Sequence, residues 1–108
     1  MPKYALMFKY RPGAVRAMMD RPEDRAAIVS RAAESMGGSL EAYYWTLGPN
    51  DGLIILDLPN GRAAASVQLT MAGTGAVDQV ETHELFASDE INELLRQAKA
   101  VPYTPPGG

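Results

Sequence analysis

The sequence predicts an α+β domain, a four-stranded antiparallel sheet with helices packed on one face. Three observations carry this expectation. Stretches of period-two patterning, which set alternate side chains on opposite faces of a strand, alternate with stretches of helical periodicity. The run Leu40–Pro59, LEAYYWTLGPNDGLIILDLP, holds two strongly apolar segments around a tight Gly-Pro-Asn-Asp-Gly turn, the pattern of a hairpin. Breaks at Pro12-Gly13, Gly37-Gly38 and Gly73-Thr74-Gly75 divide the rest into short elements.

Lys3–Tyr10 sets Tyr4, Leu6, Phe8 and Tyr10 against Ala5, Met7 and Lys9, and reads as the first strand. After Pro12-Gly13, Ala14–Met19 adds a short helical turn. Asp20 is expected to cap a second helix, with Pro22 at its first position. Glu23 and Asp24 then fall in its first turn, near the positive end of the helix dipole. Ile28, Ala32 and Met36, flanked by Val29 and Ala33, form its apolar stripe, and Gly37-Gly38 ends it. Strands over Ser39–Leu47 and Leu53–Leu58 make the hairpin. Pro59-Asn60-Gly61 opens an Ala-rich helix over Arg62–Ala72, with Val67, Leu69 and Met71 as its larger apolar members. Ala76–Phe86 alternates as a fourth strand. Ser88 is expected to cap a last helix, with Asp89 and Glu90 behind it and Ile91, Leu94, Leu95 and Ala98 on one face. Val101–Gly108, VPYTPPGG, is neither regular helix nor central strand. Residues 1–100 are therefore expected as one domain and 101–108 as a mobile tail.

The order β-α-β-β-α-β, extended by a C-terminal helix, is the split β-α-β or ferredoxin-like pattern. It puts two helices on one face of the sheet and leaves the other face to be covered. Strict alternation places Tyr43, Trp45 and Leu47 on one side of the second strand and Leu40, Ala42 and Tyr44 on the other. The third strand divides into Leu53 and Ile55 against Ile54, Leu56 and Leu58. Both sides are apolar, as in a sheet buried on both faces. One set meets the helices, and the other is expected to meet the sheet of a second copy, since a large apolar face left in water is unusual.

Composition narrows the function classes. A net charge of −3 argues against a phosphate-backbone or anionic-membrane binder. The chain has no cysteine, which removes disulfides, thiolate nucleophiles and Cys-based zinc sites together, and fits a reducing cytoplasm. The N-terminal apolar run is too short to span a bilayer and lacks a signal-peptide core, so a soluble cytoplasmic protein is expected. RNA binding through the sheet is disfavoured, because the third strand, LIILDL, has no aromatic and the charge is negative.

No residue constellation marks a reaction or a cofactor. His83 is the sole histidine, with Glu81 on its strand face and Tyr43 or Trp45 expected across the sheet. An imidazole beside a carboxylate can act as a general base. The competing reading is an exposed edge-strand histidine, since one titratable group is no motif. A metal site is short of ligands, because Glu84 points to the opposite face from His83. Tyr4, Phe8, Tyr10, Tyr43, Tyr44 and Trp45 either line a pocket between two sheets or pack as core and dimer contact. Asp51 in the turn either serves a site or bonds local backbone. The GTG at 73–75 follows a helix rather than opening one, so it is no phosphate loop.

Several of these segments resemble the GYD domain family, small bacterial proteins of ferredoxin-like, dimeric α/β-barrel fold. The likeness runs from YALMFKY near the start through AESMGGSLEA at 33–42 and Tyr44-Trp45 before Gly48. It continues through Leu58-Pro59, the Ala-rich helix and Val80-Glu81-Thr82. Gly48 and Asp51 match the name-giving turn, while Asn50 stands where that family usually has tyrosine. The resemblance implies the fold and homo-oligomerisation, and no particular reaction or cofactor.

The function expected is thus a small cytoplasmic homo-oligomeric module without catalytic activity that binds a ligand or a protein partner. Tyr43, Trp45 and His83 are its candidate ligand-binding residues, and Gly48 and Asp51 form its motif turn. The alternative is a cofactor-independent enzyme, monooxygenase- or isomerase-like, using a pocket between sheet and helices or at the dimer interface.

Overall fold

A computed structural model describes residues 1–108. The element order is β1 (Lys3–Tyr10), α1 (Pro12–Asp20), α2 (Arg25–Ser35), β2 (Ser39–Trp45), β3 (Gly52–Asp57), α3 (Gly61–Gly73), β4 (Val77–Leu85) and α4 (Ile91–Ala100). A single 3₁₀ turn, Ser88–Glu90, precedes α4, so Ser88 does not cap that helix as the sequence predicts. The Glu90 carboxylate instead accepts from the Ala87 N–H at 2.9 Å and caps the turn. The strands form one antiparallel sheet in the order β2-β3-β1-β4, the ferredoxin-like arrangement that the element order predicts. No helix is long and apolar enough to cross a membrane.

Other local details differ from the sequence reading. The second helix starts at Arg25 rather than Pro22, and its cap is Asp24, whose Oδ1 accepts from the Ala27 N–H at 3.1 Å. Asp20 instead closes a full α1, which begins with Pro12 in its first turn. The two acidic runs compete to cap the same helix. Asp24 prevails because Pro22, its nitrogen lacking a hydrogen, fits the extended linker as well as it fits a first turn. On the hairpin, a bulge between Leu40 and Ala42 breaks strict alternation. It leaves Glu41 without a partner in the register and brings Leu40, paired with Leu56, onto the same face as Tyr43 and Trp45.

The core lies between the sheet and the helices. β1 contributes Tyr4, Leu6, Phe8 and Tyr10, all buried, and β3 contributes Ile54 and Leu56, with Leu58 just beyond it. Ala33 of α2 and Ala63, Ala64 and Val67 of α3 press onto this layer. Small side chains let α3 approach closely, and its Asn60 cap accepts from the Ala63 N–H at 3.0 Å. Leu69 points away and is exposed, because it falls off the i, i+3, i+7 face that Ala64, Val67 and Met71 share. α2 lies over β2 and α3 over β4, the two edges of the sheet, and the helices scarcely meet. That splay decides where the site forms.

The opposite face has no helix over it. Met7, Leu53 and Ile55 lie at its centre and are only partly covered, with Tyr44 and Leu85 exposed beside them. Lys3 bridges Glu41 at 2.8 Å and Asp57 at 2.9 Å at one margin. The hydrogen bonds to Asp57 and then Glu41 hold its pKa above the ordinary lysine value. α4 is also uncovered. It makes its main contacts with the preceding 3₁₀ turn, none of its residues is buried, and Ile91 and Leu95 are exposed. The molecule is accordingly long, 56 × 34 × 23 Å, with a radius of gyration of 17.1 Å, where a compact chain of this size reaches about 13 Å.

Candidate functional site

The gap between the splayed helices is a cavity of about 280 Å³. Its floor is Phe8, Tyr10 and Ile54, and its walls include Val29 and Met36 of α2 and Val67 and Met71 of α3. The cause is legible residue by residue. Where the two helices face each other they carry Ala32, Ser35, Ser66 and Thr70, too short to fill the space. Protein interiors are packed like organic crystals, with few voids larger than a water molecule. A cleft of this size, partly open to solvent, lies just under the usual range of ligand pockets, about 300–1,000 Å³.

The hydroxyls on the wall are already committed. Ser66 Oγ donates to Arg62 O at 2.9 Å, Thr70 Oγ1 to Ser66 O at 2.9 Å, and Ser35 Oγ to Ala32 O at 2.7 Å. Each bonds its own helix, as such residues do in mid-helix. One end of the cavity is different. Tyr10 and Arg25 line the cavity and also the surface groove beneath α1, which marks this end as the mouth.

At the mouth, Arg25 Nη1 donates to Glu23 Oε1 at 3.0 Å, while its Nε is buried without a partner. Burial opposes the guanidinium charge, but Tyr10 and Glu23 outweigh it and hold the pKa above the ordinary value. The Tyr10 and Tyr43 hydroxyls lie 3.3 Å apart, long for an O–H···O bond with its usual ~2.7–2.8 Å. Desolvation first, then the Tyr10 hydroxyl, pushes the Tyr43 phenol well above the tyrosine range, so it stays protonated. Phe8, Tyr10, Tyr43 and Trp45 form one aromatic cluster here, with ring centroids 5.3–6.4 Å apart. Trp45 lines an outer groove with Tyr43, Pro22 and Arg25.

The candidate residues are thus partly assembled and partly separated. Tyr43 and Trp45 sit together on the helix side of edge strand β2. His83 lies on the opposite edge, β4, and on the uncovered face, paired in register with Ala5. Its side chain is 53% exposed and its Nε2 lies 3.1 Å from Glu81 Oε2. The sheet itself separates His83 from the two aromatics, so the three do not form one site. Phe8 and Tyr10 line the space between sheet and helices, Tyr43 and Trp45 line the groove outside it, and Tyr44 faces the uncovered side.

The motif turn supports the mouth from behind. Asp51 Oδ2 accepts from the Tyr10 N–H at 2.9 Å, and the Asp51 N–H donates to Phe8 O at 2.8 Å. The turn therefore holds the end of β1, next to its bulge at Lys9/Tyr10, and so fixes where Tyr10 points. Gly48 takes φ +112°, a value that side-chain-bearing residues rarely adopt. Asn50 contributes its carbonyl to Thr46 Oγ1 at 2.7 Å, a backbone role independent of side-chain identity.

Sequence reasoning passed over Arg25. A signal was available, because a cation in the first turn of a helix opposes the dipole, so its presence there calls for another cause.

These features define a ferredoxin-like α+β domain with a helix-roofed apolar cavity and a cationic mouth. The chain belongs to the GYD domain family, whose sequence model matches residues 4–95. The crystal structure of protein Atu4242 from Agrobacterium tumefaciens shares the fold, with a TM-score of 0.51 and 14% identity over 82% of this chain and 94% of that one. A search of curated proteins finds no match.

Proposed function

We propose that this protein is a self-associating binding module whose ligand occupies the cavity between the helices and the sheet. The observation that carries this reading is the roughly 280 Å³ cleft, partly open to solvent, that the chain's own side chains leave unfilled between α2 and α3. Its wall carries no carboxylate, imidazole, thiol or lysine, and this favours binding over catalysis. Apolar cavities of this kind accept small apolar molecules readily. Indole, as a neutral probe, is expected to raise the melting temperature of the native chain; saturation at 100 Kd corresponds to about 2.7 kcal/mol. Val67→Phe, which fills the space, is expected to abolish that shift with little loss of stability. A Val67→Phe chain destabilised by about 1–3 kcal/mol, as in an already full core, together with no indole response, would sink the reading.

Self-association is supported by the uncovered face around Met7, Leu53 and Ile55 and by the bare apolar stripe of α4. A second copy offers the same two surfaces in return, as a twofold interface requires. Sedimentation at micromolar concentration is expected to show a dimer or larger assembly, and Ile55→Lys to dissociate it. A wild-type monomer under those conditions rejects this part of the proposal.

A further inference from the structure

We infer that the cavity selects a small organic acid, a monocarboxylate with an apolar body, received at its mouth by Arg25 with Tyr10. This rests on the reading of the cavity as a ligand site and adds the chemical class. The guanidinium has five N–H donors in a fixed fork. Glu23 engages one of them at Nη1, from a position where its own side chain is 48% exposed, and Arg25 is the one charged residue on the cavity wall. A cation on an otherwise uncharged, apolar wall favours an anionic acceptor, and the guanidinium N–H donors that Glu23 leaves free suit a carboxylate. The Tyr10 hydroxyl, 3.3 Å from that of Tyr43, keeps hydrogen-bonding capacity for the same head group.

The rest of the cavity constrains the remainder of the ligand. Val29, Ile54, Val67 and Met71 offer only apolar contact, and the serine and threonine hydroxyls are engaged with their own helices. The body is therefore apolar and compact. A phosphate dianion is disfavoured, because a single guanidinium already shared with Glu23 cannot neutralise it in an apolar site. An amine would meet the guanidinium's positive charge.

The test compares phenylacetate with phenylacetamide, which share shape and differ in charge, by isothermal titration calorimetry on the native chain at pH 7. Phenylacetate is expected to bind at least tenfold more tightly. Arg25→Gln is expected to bring the ratio to about one while the amide's affinity holds. Arg25→Lys, which keeps the charge and loses the fork, is expected to fall between. The wild-type ratio decides the matter even where a variant fails to fold. An amide that binds as well as the acid overturns the carboxylate assignment and leaves the cavity reading intact. Indole binding without any acid binding does the same. Inorganic phosphate displacing phenylacetate at equal concentration overturns it too, since charge alone would then suffice. If indole, acid and amide all fail to bind, both readings fall together.

Discussion

Gly52 of β3 lies in register with Phe8 of β1, and a Cβ at that position would overlap the far end of the Phe8 ring, its Cζ, Cε1 and Cε2. Its aromatic neighbours resist movement of the ring. Phe8 is 1% exposed and packs edge-on against Tyr10 and Tyr43 at centroid distances of 5.3 and 6.3 Å. Gly52→Ala is therefore an overpacking change, expected to cost about 1–3 kcal/mol. A 1 kcal/mol loss lowers the melting temperature of a domain near this size by roughly 4–8 °C. The clash involves only ring atoms that leucine lacks. Phe8→Leu alone loses packing, but in the Phe8→Leu background Gly52→Ala should cost almost nothing. Urea unfolding of the four chains at one fixed protomer concentration measures the coupling. A coupling of at least ~1 kcal/mol is expected, above the ~0.5 kcal/mol scatter of independent sites. Equal costs of Gly52→Ala in both backgrounds would refute the reasoning and attribute the effect to backbone propensity. Gly38 supplies the contrast: its added Cβ would strike the Asp57 carbonyl oxygen, a backbone atom that no side-chain change removes.

Two further outcomes follow from the same geometry. Tyr43 has a folded pKa raised above its unfolded value near 10, so its contribution is fully present below about pH 10 and is lost as pH rises beyond it. Stability should fall with alkaline pH, and Tyr43→Phe should flatten that slope; an unchanged slope in denaturation curves between pH 9 and 11 counts against the burial of the phenol. Asp24→Ala is expected to cost about 1 kcal/mol through loss of the α2 cap, while Asp20→Ala stays within about 0.5 kcal/mol. Thermal melts showing the reverse order would restore the earlier helix start.

The sequence by itself determined the strands, the helices and their order. Period-two runs such as Tyr4, Leu6, Phe8 and Tyr10, and helical stripes such as Ile91, Leu94, Leu95 and Ala98, are local properties that neighbours in the chain settle. Element order then left few sheet topologies, and the GYD segments agreed with that order. It also determined the apolar character of both faces of the hairpin. Three matters needed the tertiary structure. The bulge at Glu41 moved Leu40 to the other face, because an extra residue shifts every alternation upstream of it. The strand order put His83 and Tyr43 on opposite edges and opposite faces, a consequence of pairing between segments distant in sequence. The cavity and its Arg25 mouth exist because α2 and α3 sit over different edge strands, so that Ala32, Ser66 and Thr70 face one another across a gap none of them can close. No single segment encodes an unfilled volume; it is set by the distance between helices, which packing on the whole sheet decides.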